Sequence, residues 1–234
     1  MPELSPISVA FLVFPNVTQL DLTGPAQVLS RLGNVTLDLV WKTRDPVPTD
    51  SGFPLLPTKT FDEVEQADIL CVPGGFGTVD VMQDGKVLDW VRKIGGTADW
   101  VTSVCTGSLV LGAAGLLNGY EATTHWASHE QLAFFGAIPV KQRVVLDRNR
   151  LTGGGVTSGI DFALALTARI RGDAHAKFVQ LSIEYDPNPP FDSGTPDKAD
   201  AETLERYWAL VNKAAPGRVE KVKGIAKGLG FEVE

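Results

Sequence analysis

Positive charge is scarce in this chain. Its 234 residues carry 21 Lys and Arg against 28 Asp and Glu, a formal net charge of −7. Such a balance leaves no basic face for a nucleic-acid backbone and no polybasic patch for an anionic membrane. Cysteine is scarcer still. The two present, Cys71 and Cys105, sit in such different contexts that no disulfide framework is expected, which points to a reducing cytoplasm. No apolar run approaches the length that spans a bilayer. Residues 7–14 are apolar but lack a basic flank and run into Pro15 instead of a small-residue cleavage site, so no signal peptide is expected. Internal repeats and low-complexity tracts are missing, as are both common phosphate loops. Gly74-Gly-Phe-Gly77 lacks the GxGxxG spacing, and no GxxxxGK[ST] occurs. Only three histidines are present. His125 and His129 stand four apart, but His125 is expected to end a strand, which makes a poor helical ligand pair, and no metal site is expected. His175 stands alone and reads as solvated surface.

What remains is an ordinary soluble composition, 44% hydrophobic and 21% charged, enough to build a sizeable core. Residues 7–14 read as a strand buried on both faces. Thr23 is placed to cap a helix over residues 24–32 that opens with Gly24-Pro25. Strands follow at 35–42 and 69–72, with a turn-rich stretch at 46–57 that suits a short hairpin. Residues 87–94 show helical spacing, and residues 100–104 read as another buried strand. Beyond it come a helix over 108–117, a short strand at 121–125 and a helix over 127–134. A hairpin about Asp147-Arg-Asn149 then leads to helices at 157–171 and 174–183. Residues 186–197 are rich in proline and glycine. The charged helices at 202–214 and 218–228 read as a solvated face. Strands alternating with helices predict an α/β fold: a doubly wound, mostly parallel sheet with helices on both faces. No linker divides the chain, so residues 1–198 are expected to form one domain and 199–234 a helical extension of it.

Chemistry concentrates at one turn. In Ser103-Val-Cys-Thr-Gly107 a strand passes into a helix with no room for a loop, the geometry of a nucleophile elbow. Cys105 would sit at a helix N-terminus, where backbone N–H groups and the helix dipole favour thiolate over thiol. The competing reading, an inert core cysteine, suits Cys71 better, since Cys71 lies mid-strand among apolar neighbours. Ligands in such sheets bind beyond the carboxyl ends of the strands. Asp21, just past the first strand, would share that edge with Cys105. A carboxyl beside a thiolate is pushed toward its protonated form and can then serve as a general acid; a plain loop aspartate is the alternative. Gly74 and Gly75 follow another strand, and their N–H groups, with that of Thr106, could form an oxyanion hole; a simple tight turn is the alternative.

Taken in order, Asp21-Leu-Thr-Gly-Pro25, Pro73-Gly-Gly75, Ser103-Val-Cys-Thr-Gly107, Gly115-Leu-Leu-Asn-Gly119, Ala122-Thr-Thr-His-Trp126 and Thr152-Gly-Gly-Gly-Val-Thr-Ser-Gly-Ile-Asp-Phe162 resemble the ThiJ/PfpI superfamily. That superfamily shares a flavodoxin-like fold with class I glutamine amidotransferases. Within it the pattern is similar to the branch that hydrates isocyanides. The resemblance implies a homodimer, no cofactor, a small-molecule isocyanide substrate and a formamide product. It also implies Cys105 as nucleophile with Asp21 beside it, and Val156 in a glycine-rich turn facing the site. Thr106 stands where peptidase-like members carry histidine, which argues against a Cys-His peptidase mechanism. Three rival readings remain: a sensor module like that of AraC-type regulators, a stress protein that works by cysteine oxidation, and a glyoxalase or deglycase. Only about forty residues follow the Pro-rich arm and the chain is acidic, which disfavours an appended DNA-binding region.

Overall fold

The computed structural model describes residues 4–233; the expected domain limits at Met1 and Glu234 lie outside the described residues. In chain order the elements are β1 (Ile7–Leu12), α1 (Gln19–Leu29), β2 (Val35–Trp41), β3 (Val47–Pro48), β4 (Pro54–Leu55), β5 (Lys59–Thr60) and a 3-10 turn at Phe61–Glu63. Then come β6 (Ile69–Val72), α2 (Thr78–Met82), α3 (Gly85–Thr97), β7 (Trp100–Val104), α4 (Gly107–Ala113), β8 (Glu121–Ala122) and a 3-10 segment at Trp126–Phe135. The chain closes with β9 (Ile138–Pro139), β10 (Val144–Asp147), β11 (Arg150–Gly153), α5 (Ser158–Arg171), α6 (Asp173–Ser182), α7 (Ala201–Ala214) and α8 (Arg218–Gly228). Seven strands form one sheet in the order β10-β11-β7-β6-β1-β2-β5. Every pairing is parallel except the β10–β11 hairpin at the edge.

Both faces of the sheet are covered, and β1 shows why a continuous apolar run was needed. Successive strand residues point to opposite faces. Ala10 and Leu12 enter one core, together with Val81 of α2, Val91 of α3, Leu109 of α4 and Val222 of α8. Val9 and Phe11 enter the other, with Leu22 and Val28 of α1, Phe162 and Leu166 of α5 and Val179 of α6. Cys71 belongs to this second core and is fully buried, and burial pushes its thiol up to about 12.

Several boundaries differ from expectation. Helix α1 begins at Gln19, not after Thr23, so Asp21 lies in its first turn and Pro25 inside it. Thr23 caps nothing; its hydroxyl donates to Gln19 Oε1 (2.8 Å). Packing outweighs the local signal: α1 runs so close to α5 that a Cβ on Gly159 would lie 2.9 Å from Pro25 Cδ. Helix α4 is shorter than expected and ends before Gly115, which is left-handed (φ 77°). His175 is half-buried, and its ring nitrogen meets the Arg31 carbonyl (2.8 Å), tying α6 to the end of α1.

A very tight backbone approach carries the turn from β7 to α4. A Cβ on Gly107 would strike the carbonyl oxygen of Val72 and lie 2.7 Å from that of Pro73. Gly107→Ala is therefore expected to cost about 1–3 kcal/mol, the range for overpacking, read as a lower midpoint in thermal unfolding. Gly85→Ala, where a Cβ meets nothing, should leave that midpoint unchanged.

Candidate active site

Three strand ends converge. The segment after β1 carries Asp21, the turn after β6 carries Gly74 and Gly75, and the turn after β7 carries Cys105. Cys105 is held at φ 53°, a left-handed conformation rare for a side chain of this kind and typical of strained functional turns. Its N–H donates to the Gly153 carbonyl (3.0 Å). Its own carbonyl accepts from Ser108 Oγ (3.1 Å) and Thr124 Oγ1 (2.8 Å). The Thr-Thr-His-Trp and Gly-rich segments thus act as struts behind the nucleophile: Thr123 N–H donates to Thr152 Oγ1 (2.9 Å) in the same region.

Asp21 is fully buried. Its Oδ2 accepts from the Gly74 N–H (2.8 Å), and Oδ1 accepts no N–H or O–H hydrogen bond. Burial raises its carboxyl to about 7, although the Gly74 N–H and the Cys105 thiol both favour the charged form. Cys105 is 6% exposed. Burial, and after it the Asp21 carboxylate, push its thiol well above the ordinary range; the Thr106 N–H, the Thr106 hydroxyl and Arg218 pull the other way. This corrects the expectation that the helix N-terminus alone ionises the sulfur. The sulfur loses more by leaving water than one helix end returns, which favours the thiol.

The glycines also work differently from the oxyanion hole expected. The Gly74 N–H is committed to Asp21, and the Gly75 N–H to Thr106 Oγ1 (3.1 Å). A donor so engaged has no hydrogen left for a substrate atom. The two residues instead fix Asp21 and Thr106. Close approach demands glycine at 74, where a Cβ would lie 2.6 Å from Thr106 N and 2.8 Å from Asp21 Oδ2.

Cys105, Thr106, Gly75 and Val156 line one cavity of about 420 Å³. Its roof comes from the C-terminal helices, with Tyr207 and Trp208 of α7 and Arg218 of α8. These helices read as a solvated face in the sequence, so their place in the cavity lining is a third correction. His125 lines the cavity too. It precedes the 3-10 segment instead of ending a strand, its Nδ1 accepts from the Ala127 N–H (3.3 Å), and it stacks on Tyr207 (6.2 Å between centroids). Burial and Arg218 lower its pKa, which favours the neutral ring. Among the described residues no group of three or more His, Cys, Asp or Glu could hold a metal.

Arg218 is the residue that sequence reasoning missed. Pro216 and left-handed Gly217 (φ 65°) turn the chain between α7 and α8 and deliver its side chain into the cavity. Its Nη2 donates to Thr78 Oγ1 (2.8 Å). The Pro-Gly pair between two helical patterns was the available signal.

The profile of the DJ-1/PfpI family matches residues 7–169. The chain belongs to the DJ-1/PfpI family. Among its family relatives, the isonitrile hydratase of Pseudomonas putida is 54% identical over 199 residues, covering 85% of this chain and 87% of that one. The HTH-type transcriptional regulator CdhR of Pseudomonas aeruginosa is 31% identical over 60% of this chain but only 41% of its own. A ThiJ/PfpI family protein from Pseudomonas syringae superposes with a TM-score of 0.91 at 41% identity, over 98% of this chain and 93% of that one. The structural likeness thus reaches past the family profile into α7 and α8.

A carboxyl raised this far has a consequence for folding. Asp21 holds its proton in the folded chain up to about pH 7 but loses it near 3.8 when unfolded. Its burial therefore costs nothing below 3.8, costs progressively more as pH rises from 3.8 to 7, and costs the full amount above. Asp21→Asn keeps an oxygen for the Gly74 N–H and removes the charge. It is expected to raise the unfolding midpoint by several degrees at pH 8.5 and to leave it unchanged at pH 4, as measured by scanning calorimetry.

Proposed function

We propose that this chain is an isonitrile hydratase that adds water to R–N≡C and releases R–NH–CHO, with Cys105 as nucleophile and Asp21 as proton carrier. One observation carries the reading: the fully buried Asp21 carboxyl meets the Cys105 thiol, and Cys105 lines a cavity large enough for a small organic molecule. The high identity to the Pseudomonas putida enzyme supports the choice of substrate class.

The chemistry follows from one proton shared between the two groups. As the sulfur attacks the terminal carbon of the isocyanide, the thiol proton passes to the Asp21 carboxylate. Asp21 then delivers it to that carbon, giving the thioimidate Cys105–S–CH=N–R and leaving Asp21 ionised. Water adds to the same carbon. Asp21 takes one water proton and passes it to nitrogen, so the adduct becomes Cys105–S–CH(OH)–NH–R. The C–S bond breaks, the hydroxyl proton returns to Asp21, and the formamide leaves with the sulfur as thiolate. The Thr106 N–H steadies the sulfur when it carries charge, and Val156 shapes the wall facing the substituent R.

Residues 1–198 and the helical extension 199–234 act as one unit in this reading, because the extension roofs the cavity. Two free cysteines suit a reducing cytoplasm. A homodimer is proposed across α6, whose Phe178 and Leu181 are 63% and 79% exposed, the kind of apolar surface that a partner covers.

Wild-type protein is expected to convert an aryl isocyanide to its N-aryl formamide with no turnover of methylglyoxal, followed by chromatography. Cys105→Ala should abolish the reaction; full turnover by that variant contradicts the mechanism. With two protons on the pair no carboxylate is left to accept the thiol proton, so kcat/KM should fall as pH drops below about 7, the pH at which Asp21 takes up its proton. Asp21→Asn should lose that limb along with about 10²-fold or more of the rate, the usual worth of a positioned acid–base group. Light scattering is expected to report twice 25.1 kDa, and Phe178→Glu with Leu181→Glu to report a monomer.

A further inference from the structure

Arg218 is a guanidinium half-buried in an active-site cavity, and among the described residues no carboxylate forms an ion pair with it. Its Nε is buried without a hydrogen-bond partner. A cation in such a place is costly unless something nearby carries negative charge. Its hydrogen bond to Thr78 runs toward the nucleophile. The Thr78 hydroxyl accepts from Arg218, donates to the Gly75 carbonyl (2.8 Å) and lies 3.4 Å from Thr106 Oγ1. Thr106 adjoins Cys105, and the Gly75 N–H holds its hydroxyl in place. A polar chain therefore runs from the start of α8 through Thr78 and Thr106 to the elbow. The family profile ends at residue 169, so α8 lies outside the segment it describes.

We propose that Arg218 is a positioning residue for the nucleophile and its counter-ion: the guanidinium holds Thr78 and Thr106 against the elbow and stabilises negative charge on the Cys105 sulfur. The role rests on the hydratase reading only for which reaction benefits; charge on the sulfur can be read without any isocyanide. The other groups facing Cys105 or its partner are Asp21 of α1, Asp50, His125 and Tyr207 of α7, with Glu220 of α8 at the cavity wall. Asp21 opposes the charge on sulfur, and His125 is neutral. Among the described residues, Arg218 is thus the only cation the cavity lining sets against it.

The test uses iodoacetamide, a neutral reagent that alkylates thiolate and offers no anion for an arginine to recognise. Alkylation of Cys105 in the full chain is followed by mass spectrometry between pH 5 and 10. Arg218→Gln keeps an N–H donor for Thr78 and removes the charge. It is expected to slow alkylation at pH 8 about tenfold, the equivalent of one pKa unit, and to move the acid limb of the profile upward. Arg218→Lys, which keeps a charge without the planar fork, should recover part of the rate. For a neutral aryl isocyanide, kcat should fall in Arg218→Gln while KM stays near the wild-type value. A merely structural role would lower the unfolding midpoint and leave the alkylation profile in place, and that result overturns the proposal. So does wild-type alkylation by both Arg218→Gln and Arg218→Met; should Arg218→Met fail to fold, the Gln and Lys variants decide. Failure of the wild-type protein to hydrate isocyanides would instead remove the hydratase reading and leave the alkylation result standing.

Discussion

Asp21 and Cys105 arrive from two different strand ends and meet where water scarcely reaches. Each is a poor acid in that place. Burial lifts the carboxyl to about 7 and the thiol higher still, so above about pH 7 the pair carries one proton and one negative charge. The charge rests on the Asp21 carboxylate, the stronger acid, and an N–H from Thr106, a hydroxyl and a guanidinium 113 positions further along the chain favour its passage to sulfur. Reactivity depends on this shared proton. A thiol that stayed protonated would be inert, and a thiolate with an ionised aspartate beside it would lack the proton that isocyanide carbon needs. One buried pair supplies both.

The fold serves this pair at several removes. Parallel strands β1, β6 and β7 place three turns side by side. Glycines at 74 and 107 let backbone come so close that a side chain at either position would collide with a carbonyl, an amide or Asp21 itself. The struts from Thr124 and Gly153 lock the left-handed turn at Cys105 that no isolated peptide would favour. Above the floor, α7 and α8 close the space with an aromatic and a cationic wall, which lowers the local polarity and strengthens every electrostatic effect inside.

Much of this was legible in the residues. The β-branched run of residues 100–104, followed at once by Cys-Thr-Gly, forces a turn with a cysteine at its apex, and Asp21 after the first apolar strand had to share its edge of the sheet. Other features depend on distances that spacing does not encode. The start of α1 was missed because Pro25 looked like an opening residue, while contact with α5 stabilises it inside the helix. Gly74 and Gly75 are identifiable as close-approach positions, yet only the fold shows their N–H groups engaged with protein oxygens. The charged pattern of residues 202–228 conceals Tyr207 and Arg218, which face inward from helices whose other sides meet solvent. Burial of the sulfur, the largest influence on its ionisation, is a property of the assembled roof and floor.

The central claim is that Asp21 keeps a proton near neutrality because it is buried beside Cys105. Carbon-13 NMR of aspartate-labelled protein, with Asp21→Asn identifying the resonance, reads this directly. The account predicts a carboxyl carbon that titrates with a midpoint near 7. A midpoint below about 5, within the ordinary carboxylate range, would contradict it.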